Sequence, residues 1–329
     1  MTLSRSYTVA ALVALLLFAA TGNAADYPQE TLANKAMTLT VLLPDAKTGY
    51  YRGSRFDWTG VVSKVEYDGH TLFQEWKSPH NPEGHDDVGG TAEEFGMLVS
   101  PLGYADAKAG GTFLKIGIGR LEKPDDKEYQ FFRNYKVAEP AKTKVTVEKG
   151  QITFRQEATH DGYAYEYVKR IVLEDGSGFR IERQLKNTGK KTIHTDHYGH
   201  NFISFDHKPV GPDYRLTLKK KPMPRLEKTD FGQFAAFDGA SITFKKPLKN
   251  GTIYTELDGF ADEAALHTVT VQDAKTGFGV TITGDAPLKE MHIWGIETAL
   301  CPEPFVEMKL APGVSKAWKT RYELFVKKD

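Results

Sequence analysis

Phe179-Arg180-Ile181-Glu182-Arg183-Gln184-Leu185 alternates apolar and polar side chains one by one. Period two is the mark of a strand with one buried and one solvated face. Turn residues bracket it, Glu174-Asp175-Gly176 before and Asn187-Thr188-Gly189 after. Tyr163-Ala164-Tyr165-Glu166-Tyr167-Val168 alternates on the far side of the first turn, so the two runs read as neighbouring antiparallel strands. Outward from this pair the pattern repeats at 37–42, 144–147, 151–154, 267–271 and 278–282, with further turns at Tyr67-Asp68-Gly69 and Lys249-Asn250-Gly251. No long amphipathic helical segment and no βαβ spacing interrupts it. Many short strands of this kind predict an all-β fold, a large antiparallel sandwich. Residues 80–92, rich in Gly, Asp and His, read as a long loop of the sort that often carries function.

The bulk composition narrows the partners. Lys plus Arg and Asp plus Glu number 43 each, so nothing draws the chain globally to nucleic acid. The run Lys219-Lys220-Lys221 is short, sits beside a proline-rich turn, and reads as solvated surface. The one cysteine, Cys301, has no internal disulfide partner, so stability rests on the core. At the N-terminus Arg5 precedes an apolar run from Val9 to Ala20 and small residues at Thr21-Gly22-Asn23-Ala24. This is the layout of a secretory signal cleaved after Ala24, too short for a stable membrane span. The expectation is a periplasmic or secreted protein with no membrane insertion after cleavage, in which residues 25–329 form one β-sandwich domain.

Two segments could carry chemistry. The first is His194-Thr195-Asp196-His197-Tyr198-Gly199-His200-Asn201-Phe202. Three histidines three apart suggest a metal cage, but strand parity puts His194, Asp196, Tyr198, His200 and Phe202 on one face and His197 on the other. No metal is therefore expected, and a proton-transfer role on a rigid strand stands beside the plainer reading of ordinary surface histidines. The second is Cys301-Pro302-Glu303-Pro304-Phe305, preceded by Ile293-Trp294-Gly295. Prolines on both sides hold Glu303 in stiff, extended backbone, which suits a carboxylate whose position matters and equally an exposed acid in an edge loop. A third stretch, Tyr50-Tyr51-Arg52-Gly53-Ser54-Arg55-Phe56-Asp57-Trp58, sets two arginines among aromatics. Arginines can hold a carboxylate or phosphate bidentately while rings stack on a sugar, or they can be salt-bridged within the fold.

Taken in order, these segments resemble the galactose mutarotase-like superfamily, which includes aldose 1-epimerases and hexose-phosphate epimerases. The resemblance rests on Asn187-Thr188-Gly189 followed by His200-Asn201-Phe202, on Cys301-Pro302-Glu303-Pro304, and on Leu310-Ala311-Pro312-Gly313 with a final aromatic-rich strand. It spans about residues 35–327 and implies a β-supersandwich with His200 as general acid and Glu303, ionised at an ordinary carboxylate pKa, as general base. That chemistry, opening and reclosing a sugar ring at the anomeric carbon, calls for no metal or organic cofactor. It further implies a carbohydrate ligand, mono- or oligosaccharide, for which Arg52, Arg55, Trp58, Glu94, His197, Tyr198 and Trp294 are the candidate contacts; the 50–58 segment departs from the epimerase pattern, and Arg52 and Arg55 facing the site would favour an acidic sugar such as a uronate. Where many of these epimerases carry an earlier sugar-holding histidine this chain has Glu93-Glu94-Phe95-Gly96, with His80 and His85 in the preceding loop as substitutes.

Two other functions stay open at this level. A lyase or hydrolase acting on a uronate polysaccharide would use an arginine on the carboxylate and His200 or Tyr198 as base. A non-catalytic carbohydrate-binding protein would keep the pocket without the chemistry. An acid–base reading requires His200 and Glu303 within about 8 Å of each other in one concave, aromatic-walled pocket, because both must reach one sugar ring.

Overall fold

A computed structural model describes residues 27–227, 230–260 and 263–327. The expected signal and cleavage site lie outside the described residues. Among those described, no helix is long and apolar enough to cross a membrane.

Nearly all of the regular structure is antiparallel β. Two large sheets dominate: one of ten strands and one of six. The alternating 179–185 run lies in the Gly178–Asn187 strand, placed between Tyr163–Leu173 and Ser315–Val326 in the ten-stranded sheet. Its burial follows the alternation: Phe179, Ile181 and Leu185 are buried, and so is Arg183, for which the fold finds a partner. The six-stranded sheet runs, edge to edge, through Met223–Glu227, Ile253–Asp258, Glu290–Ile296, Ala299–Leu310, Ile193–Phe202 and Gly90–Phe95. The last of these starts at Gly90, so the loop expected at 80–92 ends three residues early.

One face of the six-stranded sheet packs on the ten-stranded sheet. Trp318 and Tyr322 reach across from the larger sheet to His197 and Asn201, at 3.3 and 2.7 Å. Arg183 and Lys169 reach across to Glu93. The other face is covered only in part. A three-stranded sheet (Thr112–Lys115, Gly119–Glu122, Val137–Pro140) and the 50–58 segment lie over it, burying a second apolar cluster that includes Phe56, Trp58, Phe113, Tyr135, Phe202 and Cys301. A cavity opens beside this cover, and it exposes the middle of the six-stranded sheet.

Candidate functional site

Proline in a central strand normally breaks the ladder, yet Pro302 and Pro304 both lie in the Ala299–Leu310 strand, which has neighbours on both sides. Backbone parity explains how. Leu300 exchanges both hydrogen bonds with Ile203, at 2.9 and 3.0 Å, so even-numbered residues of this strand point their N–H and C=O toward the His200 strand. The prolines therefore take nothing from the ladder with Glu290–Ile296, where Glu303 pairs with His292. They interrupt the other ladder, which runs to Tyr198↔Phe305 and resumes only at Ile203↔Leu300. The Asn201 amide fills the interruption, donating to Pro302 O at 3.0 Å and Gly199 O at 3.2 Å. Between the two prolines Glu303 stands opposite His200 in a narrow, non-hydrogen-bonded pair, the arrangement that brings side chains closest. His200 Nε2 and Glu303 Oε1 are 3.2 Å apart, and both side chains are almost wholly buried.

Burial dictates their protonation. It raises the Glu303 carboxyl to about 8, with Glu94 adding to the rise and Arg55 opposing it. Burial, then the charge of Arg55, holds the His200 imidazole well below its usual range. Burial thus works against the expectation of an ordinary, ionised Glu303: it favours the protonated carboxyl and the neutral imidazole. Moving that proton across to the ring yields imidazolium and carboxylate with the same net charge. Either form holds one acid and one base. His200 Nδ1 is buried with no hydrogen-bond partner among the described residues, so exchange with a ligand falls to Nε2.

The cavity has a volume of about 370 Å³. Trp76, Phe202 and Trp294 form its apolar wall, with Trp76 stacked on Phe202 and Trp294 edge-on to Trp76. Of the residues expected at a sugar site, Arg55, Trp294, His200 and Glu303 line this cavity. Tyr198 and Glu94 lie behind it. Tyr198 Oη donates to Glu94 Oε2 at 2.6 Å, Arg55 Nη2 donates to Tyr198 Oη at 2.9 Å and Arg55 Nε to Glu94 at 2.8 Å, and Lys115 Nζ holds the other Glu94 oxygen at 2.8 Å. Burial opposes ionisation of Glu94, but Lys115 and Arg55 outweigh it and its pKa is lowered.

Three expected contacts are elsewhere. His197 faces the ten-stranded sheet, beside Glu93 and Trp318, because its odd parity turns it away from His200. Arg52 and Trp58 line a different cavity, across the 53–55 segment; Arg52 Nη1 donates to Gly49 O at 3.0 Å and Trp58 Nε1 to Gly53 O at 2.8 Å. The three clustered histidines are not brought together either: His194 pairs with Glu307 at the surface at 2.7 Å. Of the two loop histidines, His85 lines the cavity, while His80 is tied to Asp87 at 2.8 Å and stacked on Tyr50. Trp76, Phe131 and Tyr254 line the cavity without having been singled out from the sequence. Tyr254 sits in an alternating strand, Ile253–Asp258, but only sheet order places that strand beside Trp294.

No family model and no curated protein matches this sequence. Solved structures do match its fold. A protein from Synechocystis sp. PCC 6803, Slr1438, is 13% identical with a TM-score of 0.57, over 93% of this chain and 99% of that one. A galactose mutarotase-like protein from Lactobacillus casei is 14% identical with a TM-score of 0.54, over 90% and 100%. An aldose epimerase homologue from C. elegans is 14% identical with a TM-score of 0.54, over 91% and 99%. At these identities the likeness is one of architecture, and the architecture is that of the galactose mutarotase-like β-supersandwich.

Proposed function

We propose that the cavity binds a sugar and that His200 and Glu303 interconvert its anomers by general acid–base transfer. The observation that carries this reading is the 3.2 Å separation of the two groups at the floor of an aromatic-walled cavity. One member takes the proton of the anomeric hydroxyl while the other protonates the ring oxygen, so the C1–O5 bond opens. Rotation and reclosure on the other face return both protons, and the roles reverse. The cycle needs one exchangeable proton within the pair, which is what burial leaves there. Trp76 and Trp294 suit the apolar face of a pyranose.

Polarimetry of freshly dissolved aldoses and uronates tests the reading. The expected result is acceleration for at least one sugar, reduced at least 1,000-fold by His200→Ala and by Glu303→Gln, each of which removes half of the pair. No acceleration over buffer for any sugar would sink it. A second reading draws support from Arg55, whose guanidinium borders the cavity: a uronate lyase with Arg55 on the carboxylate and His200 as the base at C5. Absorbance of an unsaturated product from uronate polymers distinguishes it. The N-terminal pattern supports a periplasmic or secreted setting for either activity.

A further inference from the structure

A four-stranded sheet (Gln29–Ala33, Met37–Leu42, Val61–Tyr67 and His70–Leu72) turns Leu39, Val41, Val62 and Val65 into the core. Alternation turns its opposite face outward, where register sets Gln29 beside Leu42 and Thr40 beside Lys64. A β-bulge at Ser63, the residue left without a partner between Val62 and Lys64, brings its side chain to the same side. A face of this kind ordinarily meets bulk water. Here it floors a second cavity of about 540 Å³, within the range of about 300–1,000 Å³ usual for small-molecule sites.

Tyr27, Tyr50 and His80 line this cavity as one aromatic group. Tyr50 stacks on His80 with 3.9 Å between ring centres, and Tyr27 stands edge-on to both, at 5.1 and 5.7 Å. Both His80 nitrogens are spent, Nδ1 on Asp87 and Nε2 on Tyr50 O, each at 2.8 Å, so His80 fixes the stack. Tyr50 is 7% exposed, and its hydroxyl has no hydrogen-bond partner among the described residues. Burial, then the charges of Glu75 and Asp87, raises its pKa, so the hydroxyl stays a donor. Gln74 spends its amide N–H on Thr298 O at 3.0 Å and keeps its carbonyl oxygen as an acceptor. Phe73, buried, holds a φ of 71°, a left-handed backbone that a bulky side chain rarely takes and that a fold retains where the local path matters. From there the chain runs as a partition. Gln74, Glu75, His80 and Gly89 line this cavity, while Trp76, His85 and Asp86 line the one that holds His200 and Glu303.

A polar floor set against aromatic rings suits a sugar, whose hydroxyls need donors and acceptors and whose ring face is apolar. Lys64 and Glu75 bring opposite charges to the lining, which therefore calls for no net charge on its ligand. We propose that this cavity is a second saccharide-binding site, taking an uncharged sugar unit, with the Tyr50 hydroxyl donating to one of its oxygens and the Tyr27 ring against its apolar face. The site goes beyond the anomer exchange and does not depend on it, because the 73–89 partition keeps its residues apart from His200 and Glu303.

Calorimetric titration tests it with D-glucose, D-galactose, D-mannose, D-xylose, maltotriose, cellotriose and xylotriose. At least one of these is expected to bind in an event that Tyr50→Phe weakens about tenfold, the size of one hydrogen bond. Thr40→Trp, whose ring fills the cavity from the outward face of the sheet, should abolish the same event. Trp294→Ala, which strips the wall of the other cavity, should leave it unchanged. Melting temperatures establish that the variants are folded; should Thr40→Trp fail to fold, Tyr50→Phe carries the test alone. Equal affinities of wild type and Tyr50→Phe for every sugar overturn the inference, as does a wild-type chain that binds none of them. Loss of one and the same event in Tyr50→Phe and in Trp294→Ala assigns the sugar to the His200–Glu303 cavity and overturns it too. The anomer exchange is read separately, by polarimetry, so its failure and the failure of this site are distinct results.

Discussion

Glu303 behaves against its type, and this has consequences for pH. Burial pushes its carboxyl in the folded chain up to about 8 from the ordinary value of 4.5 that holds in the unfolded one. Below 4.5 both states are protonated. Between 4.5 and 8 the unfolded chain has lost a proton that the folded chain keeps, so this group's contribution to stability falls as pH rises, by about 1.4 kcal/mol per unit. His200 works in the opposite sense: its folded pKa is depressed, so its contribution is lost as pH falls below 6.5. The wild-type melting temperature is therefore expected to decline between pH 5 and 8, and Glu303→Gln should flatten that decline. A wild-type decline no steeper than the variant's would refute the buried-acid account. The proposed anomer exchange should follow the same proton: its rate is expected to hold through neutrality and fall above about pH 8, read by polarimetry across buffers. At this scale the sequence was informative about identity and silent about environment. Parity separated His197 from His200, and proline brackets singled out Glu303. Neither could show that a strand pairing would bury the two groups against each other.

Strands carry that information. Alternation located seven of the 23 strands among the described residues, those in which one face is solvated or polar. The Ala299–Leu310 strand was harder to read, since prolines argue against a central strand and buried residues on both faces erase the period. Its prolines turn out to lie at positions whose backbone faces the His200 strand, and Asn201 substitutes for the missing donors. Asn201→Ala should cost about 1–3 kcal/mol, because it strips partners from Pro302 O, Gly199 O and the Tyr322 hydroxyl at once. Chemical denaturation measures this. An unchanged midpoint would mean that the interruption needs no filling. Tyr254, Trp76 and Phe131 escaped notice for a related reason: they come from separate strands and loops, and only sheet order and loop path bring them to one cavity.

Across the whole molecule the two sheets are joined by charge as well as by apolar packing. Glu93, adjacent to Glu94 but on the opposite face, meets Arg183 and Lys169 of the ten-stranded sheet, all three buried. Burial opposes ionisation of Glu93, but Arg183 and Lys169 more than offset it and hold its pKa well below the carboxylate range. Glu93→Gln should cost about 3–5 kcal/mol by leaving Arg183 without its counter-charge, whereas Glu93→Leu with Arg183→Met should recover much of that. Urea midpoints of the three proteins test it. The paired acids Glu93-Glu94 were visible in sequence as a departure from the epimerase pattern, but their division between two faces, one toward the cavity and one toward the sandwich interior, depends on the fold. The prolines around Glu303 also bear on the molecule before it is folded. Ala299-Leu300-Cys301-Pro302-Glu303-Pro304-Phe305-Val306 is otherwise apolar enough to template cross-β stacking between chains. With two amides missing from one edge, an exposed copy of this segment offers another chain a broken ladder on that side, so the prolines that bracket Glu303 also work against aggregation of the unfolded chain.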